Sequence, residues 1–570
     1  MIFNLIHRPC GHYKSYNFQR ECAHDLNFKS TILIPTKQFE NPDVIELAKE
    51  DNEKYGDEVG IWLDPMADMP DTQVWLLSKE DKIKTVKYSI DSFKKIFGYF
   101  PKCVGNYVMD SQLIKILKDY CPSVTTVVAG CFEEGVKVFH GCNNSWYLFS
   151  EGMSWNPWYP SKTQSVRPAK DEKDWSGVVA VPHLSRDLVL GYEGRNDFFA
   201  SHPANIQRGL ANDGYIHNYD YNLIDQYRMQ EDFNIGFSYY QIHVSPGWFY
   251  GNPNILDESE TTCRLYRETL EYLAALRDDG KLIDMHLSEF GEYYKENIPL
   301  GTTDIGVGKD ILFGSGKHYL WVFNSSYRVL VDTFQGGSIG DLRPYIGNYE
   351  AFTGVDSNRP LMNSYPYVIQ SQYRSGLKHH HEDGARTTLL VTHNDETLDM
   401  CNYTSKIENV ERLDNDVKLS LKPVTMKFKD GFEVEIKTEY DFKVDGRIGI
   451  TRKILNGDVS KVSLCEYVKA CYGFTEYPEN MKEIYFKVDN ERIADYKYNA
   501  KEYAKTSAQS VSAVIPAITT EVELKPEGKA KGVICDGHHF APYFTLKLKY
   551  EPYENTGEVK SWLNIKKQTV

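Results

Sequence analysis

Five acidic residues fall where strand-like apolar runs end. They are Asp64 after EVGIWL, Asp110 after CVGNYVM, Glu133 after TTVVAGCF, Asp187 after VVAVP, and Glu289 after LIDMHL. Two carboxyl groups in one pocket can break an acetal linkage. One protonates the leaving oxygen and the other attacks or activates water, with separations of roughly 5 Å for retention and roughly 6.5–9.5 Å for inversion. Each residue also has a structural reading. Asp110 is placed to cap a helix, Asp64 to open a turn before Pro65, and Glu133 to form a solvated pair with Glu134. Asp187 can pair with Arg186 or Arg195, and Glu289 can begin a terminal helix.

A second group has the types that hold a polar, ring-shaped ligand. His7, His183 and His243 sit near strand ends, with Arg8, Trp62 and Asn106 at equivalent places. Trp155, Trp158 and Tyr159 lie in a proline-stiffened loop, WNPWYP, and Trp248 follows His243. Neutral imidazoles can hydrogen-bond hydroxyls, and indole faces suit the apolar faces of sugars. A metal centre is the alternative for the histidines. Their spacing matches no ligand motif, so neither metal nor cofactor is expected.

The elements that must carry these residues alternate. Ile2–Ile6, Thr31–Ile34, Glu58–Leu63, Cys103–Met109, Val124–Ala129, Val178–Pro182, Ile235–Val244 and Ile283–Leu287 read as strands. Pro42 to Glu50, the stretch from Ser78 to Gly98, Leu113–Leu117 and Glu258–Leu276 read as helices. Strands apolar on both faces and joined by helices are parallel, and chemistry then gathers at their carboxyl ends. After residue 300 strict alternation takes over, with Asp430-Gly431 and Asp445-Gly446 at hairpin turns. The expected fold is α/β: an irregular (β/α)7–8 barrel over 1–300, then an antiparallel β-sandwich over 301–570.

The totals are those of an ordinary soluble globular protein. The chain has 570 residues, 41% apolar and 25% charged, with a net charge of −15. That charge argues against nucleic acid and anionic membrane as partners. Eleven scattered cysteines without a CxxC pair fit a reducing cytoplasm. No secretory signal or transmembrane run is read, and a homo-oligomer is compatible with the sequence.

Three motifs carry a family resemblance. A strand ending on His7-Arg8-Pro9 looks like the His-Gln-Pro opening of glycoside hydrolase family 57. Asp57-Glu58-Val59-Gly60 looks like the Glu-Ile/Val-Gly strand of the glycoside hydrolase/polysaccharide deacetylase (NodB-like) superfamily. Phe100-Pro101-Lys102 leads into strand, helix and strand as in family 57, and a β-rich domain after the barrel is similar to families 57 and 38. The resemblance implies a carbohydrate-active hydrolase, foremost a glycoside hydrolase acting on oligosaccharides. It also implies departures. Trp62 stands where deacetylases carry a metal-binding His, Ile6-His7-Arg8 replaces their paired aspartates, and Asn106 lies near the place of the family 57 nucleophile. The alternatives are a deacetylase with an unorthodox site built from His7, His12 and Asp64, and a non-catalytic carbohydrate-binding protein.

Overall fold

The computed structural model describes residues 1–9, 13–69, 74, 77–131, 154–193, 199–202, 218–234, 236–244, 249, 259–346, 368–371, 386–472, 485–495, 503–505, 508–516, 519–528, 530–540, 543–552 and 554–568. The chain forms two compact units. The first holds Met1–Leu300 and Gly308–Ser315; the second holds Gly301–Val307 and most of the chain from Gly316 on.

The first unit alternates strand and helix: β1 Ile2–His7, α1 Tyr13–Asp25, β2 Ser30–Pro35, α2 Pro42–Glu50, β3 Glu58–Trp62, α3 Lys79–Phe97, β4 Cys103–Val108, α4 Ser111–Tyr120, β5 Thr126–Cys131 and β6 Val179–Pro182. Then come α5 Leu190–Glu193, α6 Tyr219–Arg228, β7 Tyr239–Val244, α7 Ser259–Asp278, β8 Ile283–Asp284 and α8 Leu287–Asn297. Local chemistry sets the boundaries. Ser78 accepts the Asp81 N–H at the start of α3, Asp110 accepts the Leu113 N–H at the start of α4, and Gly98 ends α3 at φ +82°.

The strands make one parallel sheet in the order β6-β5-β4-β3-β2-β1-β7, with β8 pairing the first residues of β1. The sheet curls without a ladder between β6 and β7 among the described residues. Side chains span that gap instead: the Gln241 N–H donates to Ser185 Oγ at 2.9 Å, and Ser201 Oγ donates to the Gln241 carbonyl at 2.6 Å. The result is an open barrel.

One expected strand is largely a helix. Ile283–Leu287 pairs for two residues only, because His286 and Glu289 form a capping box that starts α8. α8 then crosses the amino ends of the strands. The Leu287 N–H donates to Thr31 Oγ1, the Ser288 N–H to Glu58 Oε2, and Thr126 Oγ1 to the Leu287 carbonyl. Leu287, Phe290 and Tyr294 join Ile2, Ile6, Leu33, Trp62, Val128, Val181 and Tyr239 in one buried cluster. Among the described residues the barrel is therefore stoppered at its amino end, which leaves its carboxyl end for a site.

The second unit is built of antiparallel sheets of five, six and ten strands among the described residues, apart from the straddling strand Asp304–Lys309 at its edge. Both expected turns are present. Asp430-Gly431 joins Val424–Lys427 to Glu433–Phe442, and Asp445-Gly446 joins that strand to Arg447–Asn456, with Gly431 at φ +88° and Gly446 at φ +98°. No helix among the described residues is long and apolar enough to cross a membrane.

Candidate active site

Alternation along each strand sends every second side chain inward. Ile2 and Ile6 of β1 are in the interior cluster, so Arg8 continues that face. By the same parity Trp62 of β3, Tyr107 of β4, His183 just after β6, and His243 of β7 point inward at the carboxyl ends. They meet there. The ring centroids of His183 and His243 are 4.2 Å apart, Trp62 is 5.3 Å from His243 and 5.9 Å from His183, and Tyr107 is 5.0 Å from Trp62. The Arg8 guanidinium lies 4.4 Å from the centre of the Trp62 ring and 4.8 Å from that of Tyr107. Stacking between two rings fixes the plane of its donors.

Each member is held by backbone or by close packing. The His183 N–H donates to the Ala129 carbonyl at 2.8 Å, extending β6 along β5. His243 is registered against Ile6. Trp62 rests on Gly105, where a Cβ would come within 2.5 Å of the indole. Below them a polar chain crosses the interior: Tyr239 Oη donates to Asn4 Oδ1 and Gln241 Oε1, and Gln241 Nε2 donates to the His183 carbonyl.

Electrostatics keep both imidazoles neutral. Burial pushes the His183 and His243 pKa values well down, and Arg8 pushes each further, as does Arg186 for His183. A neutral imidazole keeps one acceptor and one donor nitrogen at neutral pH. That suits sugar hydroxyls and proton transfer alike.

The carboxylates do not converge as a set. Asp110 is engaged as helix cap, and Lys82 Nζ, itself buried, stands 3.0 Å away. Glu289 lies at the opposite end of the barrel, in the α8 capping box and 3.0 Å from Lys29, beside the start of β2. Asp187 is fully buried, four residues beyond His183. Its Oδ1 accepts the Val189 and Leu190 N–H groups and its Oδ2 accepts Tyr219 Oη. Burial raises its pKa to about 6 against those hydrogen bonds. Asp64 is half-buried just past β3. Glu133, like His12 and Trp248, lies outside the described residues.

Other expected ligand-binding residues are structural. Trp155, Trp158 and Tyr159 are 0%, 3% and 6% exposed. Trp158 pairs its backbone with Ala180 of β6, and Tyr159 Oη donates to the carbonyls of Tyr294 and Ile298 in and just after α8. They anchor the loop in the core and offer no platform. Asn106 has the opposite parity to Tyr107; it donates to the Leu63 carbonyl and accepts the Val108 N–H, tying β4 to β3. His7 has the opposite parity to Arg8 and faces Tyr16 of α1 on the outer side of the sheet. A centre built from His7 and Asp64 at the barrel mouth is therefore not formed. Tyr107 and Gln241 were not singled out from the sequence, although Tyr107 is two residues from Gly105 and so on the same face.

No family model matches this chain, and no curated protein matches it. Its structure is similar to a candidate glycoside hydrolase/deacetylase from Parabacteroides distasonis, at 14% identity and a TM-score of 0.47, over 60% of this chain and 85% of that one. It is also similar to the 4-alpha-glucanotransferase of Thermococcus litoralis, at 12% identity and a TM-score of 0.30, over 100% and 99%. A candidate polysaccharide deacetylase from Mycobacterium smegmatis matches at 10% identity and a TM-score of 0.30, over 52% and 92%.

Proposed function

We propose that this chain is a carbohydrate-active hydrolase, foremost a glycoside hydrolase of oligosaccharides, working at the carboxyl end of its open barrel. The observation that carries the reading is the convergence of Arg8, Trp62, Tyr107, His183 and His243 from five strands onto one buried spot, while α8 stoppers the other end. Aromatic edges, a fixed guanidinium and neutral imidazoles are the groups that recognise a hydroxylated ring. Among the described carboxyls Asp187 has the environment of a general acid, since its pKa of about 6 keeps it partly protonated near neutral pH. Among the described candidates Asp64, half-buried just past β3, is left for the second carboxyl. A panel of aryl glycosides tests this: turnover that falls at least about a hundredfold in Asp187→Asn supports it, and full turnover in that variant removes Asp187 from the role.

A sugar deacetylase is the second reading. The imidazole pair favours it, because a neutral His can serve as base toward an ester or amide. Release of acetate from acetylated oligosaccharides, with no cleavage of glycosides, would select it. Stacking or retention of oligosaccharides without any turnover would select a binding protein.

A further inference from the structure

Near the amino ends of β2 and β3, beside the last turn of α1, lies a second polar cluster that the proposed hydrolase site does not use. His24 comes from the last turn of α1, Asp51 follows α2, and Asp57 precedes β3. One ligand atom from each lies within 4.8 Å of the other two. His24 Nε2 is 2.8 Å from Asp57 Oδ2 and 3.9 Å from Asp51 Oδ1. Both carboxylates are buried.

A second observation points to a ligand. His7, at the end of β1, is 0% exposed, and neither ring nitrogen has a hydrogen-bond partner among the described residues. Its surroundings are those of the cluster. Asp57, His24 and Arg20 are the charged and titratable groups that act on it, and its ring meets edge-on that of Tyr16, whose hydroxyl donates to Asp51. A buried imidazole with two unused nitrogens costs free energy unless something binds it. The charges are also unbalanced: among the described residues Arg20, which bonds Asp51, is the one permanent cation facing two buried carboxylates.

We propose that His7, His24, Asp51 and Asp57 form a binding site for one divalent transition-metal ion, of the zinc or manganese kind. Two imidazoles and two carboxylates are a mixed donor set that suits such ions better than calcium or magnesium, which take oxygen ligands. Donors about 2 Å from an ion stand up to about 4 Å apart across it, and those of His24, Asp51 and Asp57 already lie within 4.8 Å of one another. The ion replaces the proton shared by His24 and Asp57. Arg20 and Tyr16 remain as hydrogen-bond partners of Asp51 and hold its orientation. The ion ties the last turn of α1 to the carboxyl end of β1 and the amino end of β3.

The test uses the full chain, dialysed against chelator and titrated with Zn2+ and with Mn2+ by calorimetry. Bound metal is counted by mass spectrometry, and melting temperature is read in parallel. The expected result is one ion per chain and a raised melting temperature. His7→Gln should weaken binding at least about tenfold, and Asp57→Asn should abolish it. Circular dichroism checks that each variant is folded, and His7→Gln, a polar replacement at a strand end, keeps the test open if Asp57→Asn does not fold. The double variant His183→Ala/His243→Ala should bind as the parent does. No binding at micromolar metal, or binding lost with His183 and His243 but kept in His7→Gln, overturns the proposal. None of these readouts depends on hydrolase activity, so they separate this inference from the proposed function.

Discussion

His183 and His243 stand with ring centroids 4.2 Å apart although their strands, β6 and β7, share no ladder among the described residues. The contact forms across the seam of the open barrel. Gln241 holds both sides there, through its backbone to Ser185 and its side chain to the His183 carbonyl. Replacing Gln241 by Leu should loosen that seam. The expected result is a loss of activity of at least about tenfold, with a cost of about 1–3 kcal/mol from the hydrogen-bonding groups left unpaired. Urea denaturation and turnover by the same preparation check both.

Asp187 ties stability to pH. Its folded pKa of about 6 is raised from 3.8, so the folded state binds the proton more tightly than the unfolded chain. Its contribution is present in full below the unfolded value and is lost as pH rises through about 6. At about 1.4 kcal/mol per pKa unit the difference is about 3 kcal/mol. Asp187→Asn should flatten the stability profile between about pH 4 and pH 6, measured by chemical denaturation at stepped pH.

Asp110 is a structural carboxylate. Asp110→Ala removes the α4 cap and leaves the buried Lys82 with the Gln112 amide oxygen but no counter-charge, which should cost about 3–5 kcal/mol. Activity per folded molecule should stay within about twofold of the parent. Denaturant midpoints and active-site titration separate the two effects.

Glu289 should be dispensable for turnover. It is 46% exposed in its ion pair with Lys29, and such pairs contribute about 0–1 kcal/mol. Loss of its capping contact adds little more. Glu289→Gln should therefore melt close to the parent and keep its kcat.

Gly105 is required by the indole above it. Gly105→Ala would drive a Cβ to 2.5 Å from Trp62. It should cost about 1–3 kcal/mol and shift the near-ultraviolet circular dichroism of Trp62, with activity falling as Arg8 loses its stacking surface.

The order of elements and many of their ends were legible in the sequence, because caps and turns are local chemistry. Ser78, Asp110, Gly98 and Asp445-Gly446 act as their residue types suggest. The side of each strand was not legible. A parallel strand buried on both faces has no polar alternation to show its parity, so His7 and Arg8 read alike, and Asn106 stood out where its neighbour Tyr107 faces the site. Depth was also hidden. WNPWYP has the composition of a sugar platform, yet Trp155 and Tyr159 are sunk in the core, where Tyr159 bonds to carbonyls at and just after α8. Glu289 followed a run that read as a strand, and the capping box with His286 turned that run into the helix that closes the barrel's amino end.

The proposed function puts catalysis at the carboxyl end, around His183 and His243. The most direct measurement is kcat on the best aryl glycoside for His243→Ala and Glu289→Gln, prepared side by side and matched for folded fraction. A drop of at least about a hundredfold in His243→Ala, with Glu289→Gln unchanged, is the predicted result. Undiminished turnover in His243→Ala, or turnover lost in Glu289→Gln, would contradict the account.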